Sequence, residues 1–197
     1  MIPWTLLFLL LTFYASHSIL ADLSIKKRLY SIVPNTHYRI AYNIISALFT
    51  VAIVIAYWYA SKPLLLQVPS WLAWLGWGMV ATGLWLNKMA VNNYDRSEFL
   101  GLSYLQQPPG EYVSLGGELK QTGLNAWVRH PIYSSILLMV WGWFLARPNT
   151  AVFTIALITT FYTFIGIYFE ERKLVLEFGD TYLAYRSKVR MLIPMKV

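Results

Sequence analysis

Five apolar stretches of roughly membrane-crossing length alternate with polar segments along this chain of 197 residues. A helix needs about 20 mostly apolar residues to cross the hydrocarbon layer of a bilayer. The stretches lie at about residues 2–21, 40–60, 71–86, 131–146 and 150–169. We therefore predict an all-α, polytopic membrane protein with about five transmembrane helices, in which residues 1–197 form a single integral membrane domain.

The segments between and after these stretches add two expectations. Only Arg147, Pro148 and Asn149 separate the last two stretches, which predicts a tight antiparallel hairpin of helices. The longest polar segment, at about residues 87–129, has a length typical of functional or disordered loops. After residue 169, apolar side chains at helical spacing among charged ones predict a cytoplasmic, amphipathic C-terminal helix at the membrane interface. These side chains are Leu174, Phe178, Tyr182 and Tyr185.

The distribution of charge orients the predicted helices. Short loops rich in Lys and Arg stay on the cytoplasmic side of a membrane. Only Lys62 and Arg147 fall in the two loops that the five-span arrangement places outside, whereas the other basic residues and all nine acidic residues lie on the opposite side. We therefore expect an extracytoplasmic N-terminus and a cytoplasmic C-terminus, in the plasma (inner) membrane.

Composition narrows the possible chemistry. Cysteine is absent, which excludes disulfides, zinc–thiolate sites, iron–sulfur clusters and a cysteine nucleophile. We predict no metal site. The net charge of +7 is carried by residues that flank apolar stretches, so we expect membrane lipids rather than nucleic acid as its partners.

Arg129 and His130 directly precede Pro131, which suits the first turn of the fourth predicted helix. The start of a helix offers unpaired N–H groups and a partial positive charge, so this corner can hold a carboxylate. Alternatively, the cluster only anchors the helix end at the interface.

Glu170 and Glu171 close the fifth apolar stretch, and the predicted hairpin brings them near Arg129. Acidic groups at this depth are costly unless they are paired or functional. They can balance a cationic ligand or hold a ribose. Simple salt bridges with Arg129, Arg172 and Lys173 explain them equally well.

Tyr182, Tyr185 and Arg186 lie three to four residues apart, so one helical face presents two rings and a guanidinium. Aromatic faces attract cations and stack on bases. A tyrosine belt at the membrane interface is the alternative interpretation.

Taken in order, these residues form a recognisable pattern. It runs Gly123-Leu124, Val128-Arg129-His130-Pro131-x-Tyr133, Glu170-Glu171, Leu174, Phe178-Gly179, Tyr182, Tyr185 and Pro194. This pattern resembles the isoprenylcysteine carboxyl methyltransferase and phospholipid methyltransferase superfamily of integral membrane enzymes. The resemblance implies S-adenosylmethionine as the methyl donor, bound by about residues 119–197.

Carried over position by position, the resemblance implies a cofactor pocket formed by Gly123, Leu124, Val128, Arg129, His130, Tyr133, Glu170, Glu171, Tyr182 and Tyr185. We expect catalytic roles for Arg129, Glu170 and Glu171: the arginine orients an anionic acceptor or the donor carboxylate, and one of the glutamates orients the donor or takes a proton from a thiol or amine. Two positions depart from the family pattern: Ser135 replaces a frequent glycine, and Val189-Arg190 replaces a frequent Val-Pro pair.

The N-terminal half looks like the denitrification-associated and carotene-isomerase-related membrane proteins, in which haem has been implicated. His17-Ser18, Tyr38-Arg39 and Tyr42-Asn43 carry this resemblance. It implies His17 as an axial haem ligand, whereas a satisfied polar residue at a helix end is the other interpretation.

We expect a membrane-embedded, S-adenosylmethionine-dependent methyltransferase that methylates a carboxylate, thiol or amine on a small or lipophilic acceptor. The alternative is a haem-binding isomerase or redox-related membrane protein. The sequence leaves the acceptor, the division of roles between the two glutamates and the oligomeric state open.

Overall fold

A computed structural model of the protein describes residues 3–30, 32–93 and 119–194, together with Ser97 and Leu102. The α-helices in this part are α1 (Trp4–Ala21), α2 (Leu23–Leu29), α3 (Asn35–Tyr59), α4 (Ser70–Asn92), α5 (Pro131–Ala146) and α6 (Thr150–Lys188). A short 3-10 helix, Gly123–Ala126, precedes α5. No strand occurs in these residues apart from two isolated β-bridges, so the all-α prediction is confirmed.

Three helices in the described ranges are long and apolar enough to cross a membrane: α1, Thr36–Tyr59 within α3, and α6. The helix α5 is also apolar but has only 16 residues. A membrane protein is therefore supported, while the number of five crossings and their orientation stay predictions. The short helix α2 was not predicted. Most of the predicted loop at 87–129, including its prolines and glycines at 108–117, lies outside the described residues.

The chain divides into two compact units, and the single-domain description stays a prediction. The first unit contains α1, α2 and α3, and the second contains α4, α5 and α6. In the first, the Tyr38 hydroxyl donates a 2.8 Å hydrogen bond to the carbonyl oxygen of Leu20. This bond fixes the beginning of α3 to the end of α1.

In the second unit, α4 and α5 pack with their backbones in direct contact. A Cβ atom on Gly76 would lie 2.5 Å from the backbone nitrogen of Ala146, and one on Gly142 would lie 2.8 Å from the Gly76 carbonyl oxygen. Small residues commonly allow such an approach between membrane helices. Nearer the other end of the pair, Asn87 Nδ2 donates a 2.9 Å hydrogen bond to the Ser135 hydroxyl. The serine that departs from the family pattern thus joins the two helices.

The predicted hairpin of α5 and α6 is confirmed by contacts near its turn. Trp141 Nε1 donates a 3.0 Å hydrogen bond to Thr160 Oγ1, and the rings of Phe144 and Phe153 pack 5.3 Å apart. The side chain of Asn149 caps α6 by accepting a hydrogen bond from the third residue of that helix at 3.0 Å. The hairpin places the beginning of α5 beside the middle of α6.

The helix α6 continues well beyond the predicted span at 150–169, to Lys188. Gly179, with φ of 51° and ψ of −129°, interrupts the helical backbone, and this left-handed conformation favours glycine. After the kink, Tyr182 and Tyr185 of α6 are buried within the second unit. A helical C-terminal segment is therefore present, and its cytoplasmic location stays a prediction.

Candidate active site

The segment that enters α5 is held by the end of the chain. The backbone N–H of Arg129 donates to the Arg190 carbonyl oxygen at 2.8 Å, and that of His130 donates to Met191 at 3.1 Å. The Ser134 hydroxyl adds a 2.7 Å hydrogen bond to the carbonyl oxygen of Leu192. These bonds fix the backbone on which Arg129 and His130 stand. This contact could not be predicted, because pairing between backbone atoms leaves no pattern of side chains.

Arg129 and Glu171 form a buried ion pair in the corner between α5 and α6. Arg129 Nε and Nη2 both donate to Glu171 Oε1, at 2.8 and 2.6 Å. The two side chains are only 8% and 10% exposed. The salt-bridge interpretation of the acidic pair is therefore correct for Glu171, with Arg129 as its partner.

The guanidinium of Arg129 has further partners on the backbone. Its Nη1 donates to the carbonyl oxygens of Val189 at 2.6 Å and Arg186 at 3.3 Å. Four of the five N–H bonds of a guanidinium are thus engaged within the protein. Arg129 consequently has a structural role, and its catalytic role stays a prediction.

The surroundings of Glu171 favour its ionised form. Burial alone would raise the pKa of this carboxyl and is the largest single influence on it. The hydrogen bonds and positive charge of Arg129, followed by the contact with His130, outweigh burial and hold the pKa below its ordinary value. Arg186 Nε approaches Glu171 Oε2 at 3.6 Å and adds a second cation.

His130 lies between the two glutamates. Its Nε2 is 3.3 Å from Glu171 Oε1, and its Nδ1 is 3.7 Å from Glu170 Oε2. The imidazole is buried, with 2% of its side chain exposed, whereas the Glu170 side chain is 44% exposed. The two adjacent glutamates therefore have different environments, because Glu171 is buried in the corner and Glu170 is partly exposed.

The two tyrosines after the kink are buried beside this corner, with ring centroids 6.0 Å apart. The Tyr185 hydroxyl donates a 2.6 Å hydrogen bond to the backbone carbonyl of Asn125. Burial, followed by the negative charge of Glu171, raises the pKa of Tyr182 to about 12, so this phenol stays protonated. Asn125 was not predicted, because a single polar residue in a segment that the sequence predicts as a loop carries no pattern of its own.

Two buried polar atoms near the corner lack hydrogen-bond partners in the described part of the chain. They are the hydroxyl of Tyr182, whose side chain is fully buried, and Oδ1 of Asn125. Buried polar atoms are normally paired, so this donor and this acceptor are candidates for contacts with a polar ligand.

The remaining predicted cofactor residues lie in α5 and in the segment that precedes it. Tyr133 packs beside His130 at a ring distance of 5.8 Å, and its hydroxyl lies against Gly166 of α6. Gly123 and Leu124 belong to the 3-10 helix before Arg129, and Gly123 has a φ of 62° that favours glycine. Val128 is buried and is bridged to the C-terminal segment. All ten predicted residues therefore lie in the second unit.

A cleft of about 300 Å³ opens along the last turns of α6. Among its lining residues are Gln121, Thr181, Tyr185 and Lys188. Of the predicted cofactor residues, Tyr185 alone lines this cleft within the described part of the chain. The cleft therefore lies next to the predicted pocket.

In the first unit, His17 is engaged with a neighbouring helix. Its Nε2 makes a short hydrogen bond with the Tyr42 hydroxyl, and its ring packs against Phe13. These contacts match the interpretation of His17 as a satisfied polar residue. The resemblance of this half to haem-associated membrane proteins stays a prediction.

Comparisons with known proteins identify the family of this chain. The family model described as phospholipid methyltransferase matches residues 71–181. A methanethiol S-methyltransferase of Mycobacterium tuberculosis is 30% identical, with 95% of this chain aligned to 76% of that protein. One of Pseudomonas deceptionensis is 30% identical over 94% of this chain and 71% of its own length. No solved structure matches the chain significantly. The predicted resemblance is confirmed, and the chain belongs to the phospholipid methyltransferase family of membrane proteins.

Proposed function

We propose that this protein is an S-adenosylmethionine-dependent methyltransferase whose acceptor is a small thiol. The observation that carries the proposal is the similarity to methanethiol S-methyltransferases, which extends over 95% of the chain. The arrangement of α5 and α6 supports it, because Arg129, His130, Glu170 and Glu171 meet at one corner of the second unit.

The corner fits the proposed donor. S-Adenosylmethionine carries a positive sulfonium, an amino-acid group, a ribose and an adenine, and when bound it supplies an electrophilic methyl group. The half-exposed carboxylate of Glu170 offers a counter-charge for a cation. The unpaired Tyr182 hydroxyl and Asn125 Oδ1 offer a donor and an acceptor for polar groups. We propose that these residues hold the donor together with Gly123, Leu124, Val128, Arg129, His130, Tyr133, Glu171 and Tyr185.

The chain's contribution to methyl transfer is alignment, exclusion of water and removal of a proton. The sulfonium makes transfer favourable once acceptor and donor are aligned, so a buried corner with fixed side chains supplies most of what the reaction needs. The network around Arg129 fixes the backbone of this corner, and the half-exposed carboxylate of Glu170 supplies a basic group. We propose that the acceptor reaches the corner from the membrane, with the C-terminus on the cytoplasmic side.

Binding of the donor and identity of the acceptor are tested on detergent-purified protein. Calorimetry with S-adenosylmethionine should show micromolar binding that Glu170→Ala weakens and Glu177→Ala, an exposed change on the same helix, leaves intact. Methanethiol, phosphatidylethanolamine and a prenylated cysteine are then compared as acceptors. Methylation of the thiol alone supports the proposal, and methylation of either lipid acceptor alone contradicts it.

The same sample tests the haem alternative. Bound haem gives an intense Soret absorption band, which replacement of His17 would remove if that residue were an axial ligand. We expect a spectrum without this band. A stoichiometric Soret band that disappears in His17→Ala, in protein that does not bind S-adenosylmethionine, would replace our proposal with the haem interpretation.

A further inference from the structure

The two adjacent glutamates cannot share one chemical task, because Glu171 is already committed. Its Oε1 accepts from Arg129 Nε and Nη2 and lies 3.3 Å from His130 Nε2, and its Oε2 faces Arg186. Its side chain is 10% exposed. A carboxylate with this many cationic neighbours holds no proton at neutral pH and has little surface left for an acceptor. Glu170 is the glutamate that an incoming molecule can reach.

The position of Glu171 also determines which nitrogen of His130 carries hydrogen. An ionised carboxylate only accepts hydrogen bonds, so the nitrogen that faces it, Nε2, carries the N–H. A carboxylate fixes the tautomer of an imidazole in the same way in catalytic triads and metal sites. In the neutral imidazole, Nδ1 is then the unprotonated nitrogen, and it faces Glu170 Oε2 at 3.7 Å.

Nδ1 and Glu170 Oε2 are two basic atoms that face each other across this 3.7 Å gap with no hydrogen bond between them. A proton that arrives there is attracted by both atoms, and the positive charge that it brings to the imidazole is compensated by both glutamates. Two cations also contact Glu171: Arg129, from the segment before α5, and Arg186, from α6. The imidazole and the carboxylate are therefore arranged to accept a proton between them, and Glu170 is the exposed member of the pair.

We propose that Glu170 and His130 together take up the proton of the acceptor thiol, with Glu170 contacting the thiol, His130 Nδ1 holding the proton and Glu171 orienting the imidazole. This inference rests on the proposed thiol methylation. The S–H bond of the acceptor breaks and its proton passes through Glu170 to Nδ1. The thiolate sulfur then forms a bond to the methyl carbon while the bond from that carbon to the sulfonium breaks, leaving the bonding pair on the donor's sulfur. The proton later leaves to water through Glu170.

A base is needed because an alkyl thiol is mostly protonated at neutral pH. A cysteine thiol has a pKa of about 8.5 and is only a few per cent thiolate at pH 7. General-base catalysis typically contributes about 10²–10⁴-fold to a rate. A thiol that is already ionised at the assay pH needs no base, so comparing the two kinds of thiol separates proton removal from binding.

The test measures kcat/KM at pH 7 for ethanethiol and for an acidic aromatic thiol, at S-adenosylmethionine concentrations shown by calorimetry to saturate each variant. For Glu170→Gln we expect a loss of about 100-fold or more with ethanethiol, a loss below about threefold with the ionised thiol, and recovery with ethanethiol as pH rises. His130→Gln should behave in the same way. The matched control is Glu177→Gln, which changes an exposed glutamate of the same helix.

A second measurement is independent of turnover. Nitrogen NMR of histidine-labelled protein should show His130 as the Nε2–H tautomer, and Glu170→Gln should shift its Nδ1 signal at pH 7. Equal losses with both thiols in Glu170→Gln, or no loss with ethanethiol, would overturn the inference. If the wild-type protein methylates neither thiol, the proposed function itself fails, which is a distinct result.

Discussion

Arg129 and Glu171 lie 42 positions apart in the sequence, and Nε and Nη2 of the arginine both donate to Oε1 of the glutamate, at 2.8 and 2.6 Å. The pair joins the segment before α5 to α6 beyond its predicted span. Because Arg129 also binds the carbonyl oxygens of Val189 and Arg186, the same contact holds the end of the chain. The corner of the candidate site therefore depends on one buried charge network.

Removing one member of this pair should destabilise the protein. Arg129→Ala leaves Glu171 as an uncompensated buried charge, and breaking a buried pair costs about 3–5 kcal/mol. We expect a loss of this size in the free energy of unfolding, measured in detergent by denaturant titration. Lys173→Ala, at an exposed position on α6, should change it by less than about 0.5 kcal/mol. Equal effects of the two variants would show that the pair does not hold the corner.

The depressed pKa of Glu171 predicts how stability depends on pH. A carboxyl whose pKa is lower in the folded state stabilises the protein above its ordinary value of 4.5, and this contribution is lost as pH falls through the depressed pKa. The melting temperature of Glu171→Gln should therefore lie well below that of the wild type at pH 7 and approach it in acid. A difference that stays constant from pH 7 to pH 3 would contradict this assignment.

The packing of α4 against α5 can be tested with two glycines of one helix. Gly76→Ala places a methyl group 2.5 Å from the Ala146 backbone nitrogen and should destabilise the protein by about 1–3 kcal/mol. A Cβ on Gly78 meets nothing within 4 Å, so Gly78→Ala should be neutral or slightly stabilising. Unfolding in detergent measures both, and a tolerant Gly76 would rule out the close helix contact.

Tyr182 and Tyr185 should respond differently to loss of their hydroxyl groups. Tyr185→Phe removes a hydrogen bond to Asn125 and should cost about 1 kcal/mol of stability. Tyr182→Phe removes a buried hydroxyl that has no partner in the described residues, so stability should be unchanged or improved. If Tyr182 helps to hold the donor, its affinity for S-adenosylmethionine should nevertheless fall severalfold in calorimetry. Unchanged affinity would remove Tyr182 from the proposed pocket.

Hydropathy predicted those parts of the fold that depend on apolar runs. The predicted stretch at 131–146 coincides with α5, because Pro131 and Arg147 bound an uninterrupted apolar segment. The stretches at 71–86 and 150–169 mark only the apolar parts of α4 and α6, since hydropathy does not detect a helix that continues into polar sequence. Hydropathy also does not detect the helix α2, because it is short and polar.

The site was predicted in part. The short connection between α5 and α6 implied that Arg129 and the glutamates would be neighbours, and Arg129 does pair with Glu171. The different environments of Glu170 and Glu171 could not be predicted, because they depend on which side of α6 faces the corner. The C-terminal segment docks through its backbone carbonyl oxygens, and Asn125 accepts a hydrogen bond through its own backbone carbonyl. Contacts of backbone atoms cannot be seen in a pattern of residues.

The proposed transfer of a methyl group from S-adenosylmethionine to a thiol is tested most directly by following the methyl group. Purified protein is incubated with ethanethiol and S-adenosylmethionine that carries a trideuterated methyl group, and the headspace is analysed by mass spectrometry. We expect ethyl methyl sulfide that carries three deuterium atoms, formed at a rate proportional to protein concentration. In Glu170→Gln at pH 7 this rate should fall about 100-fold or more. Folded protein that binds the donor but forms no labelled sulfide would contradict the proposal.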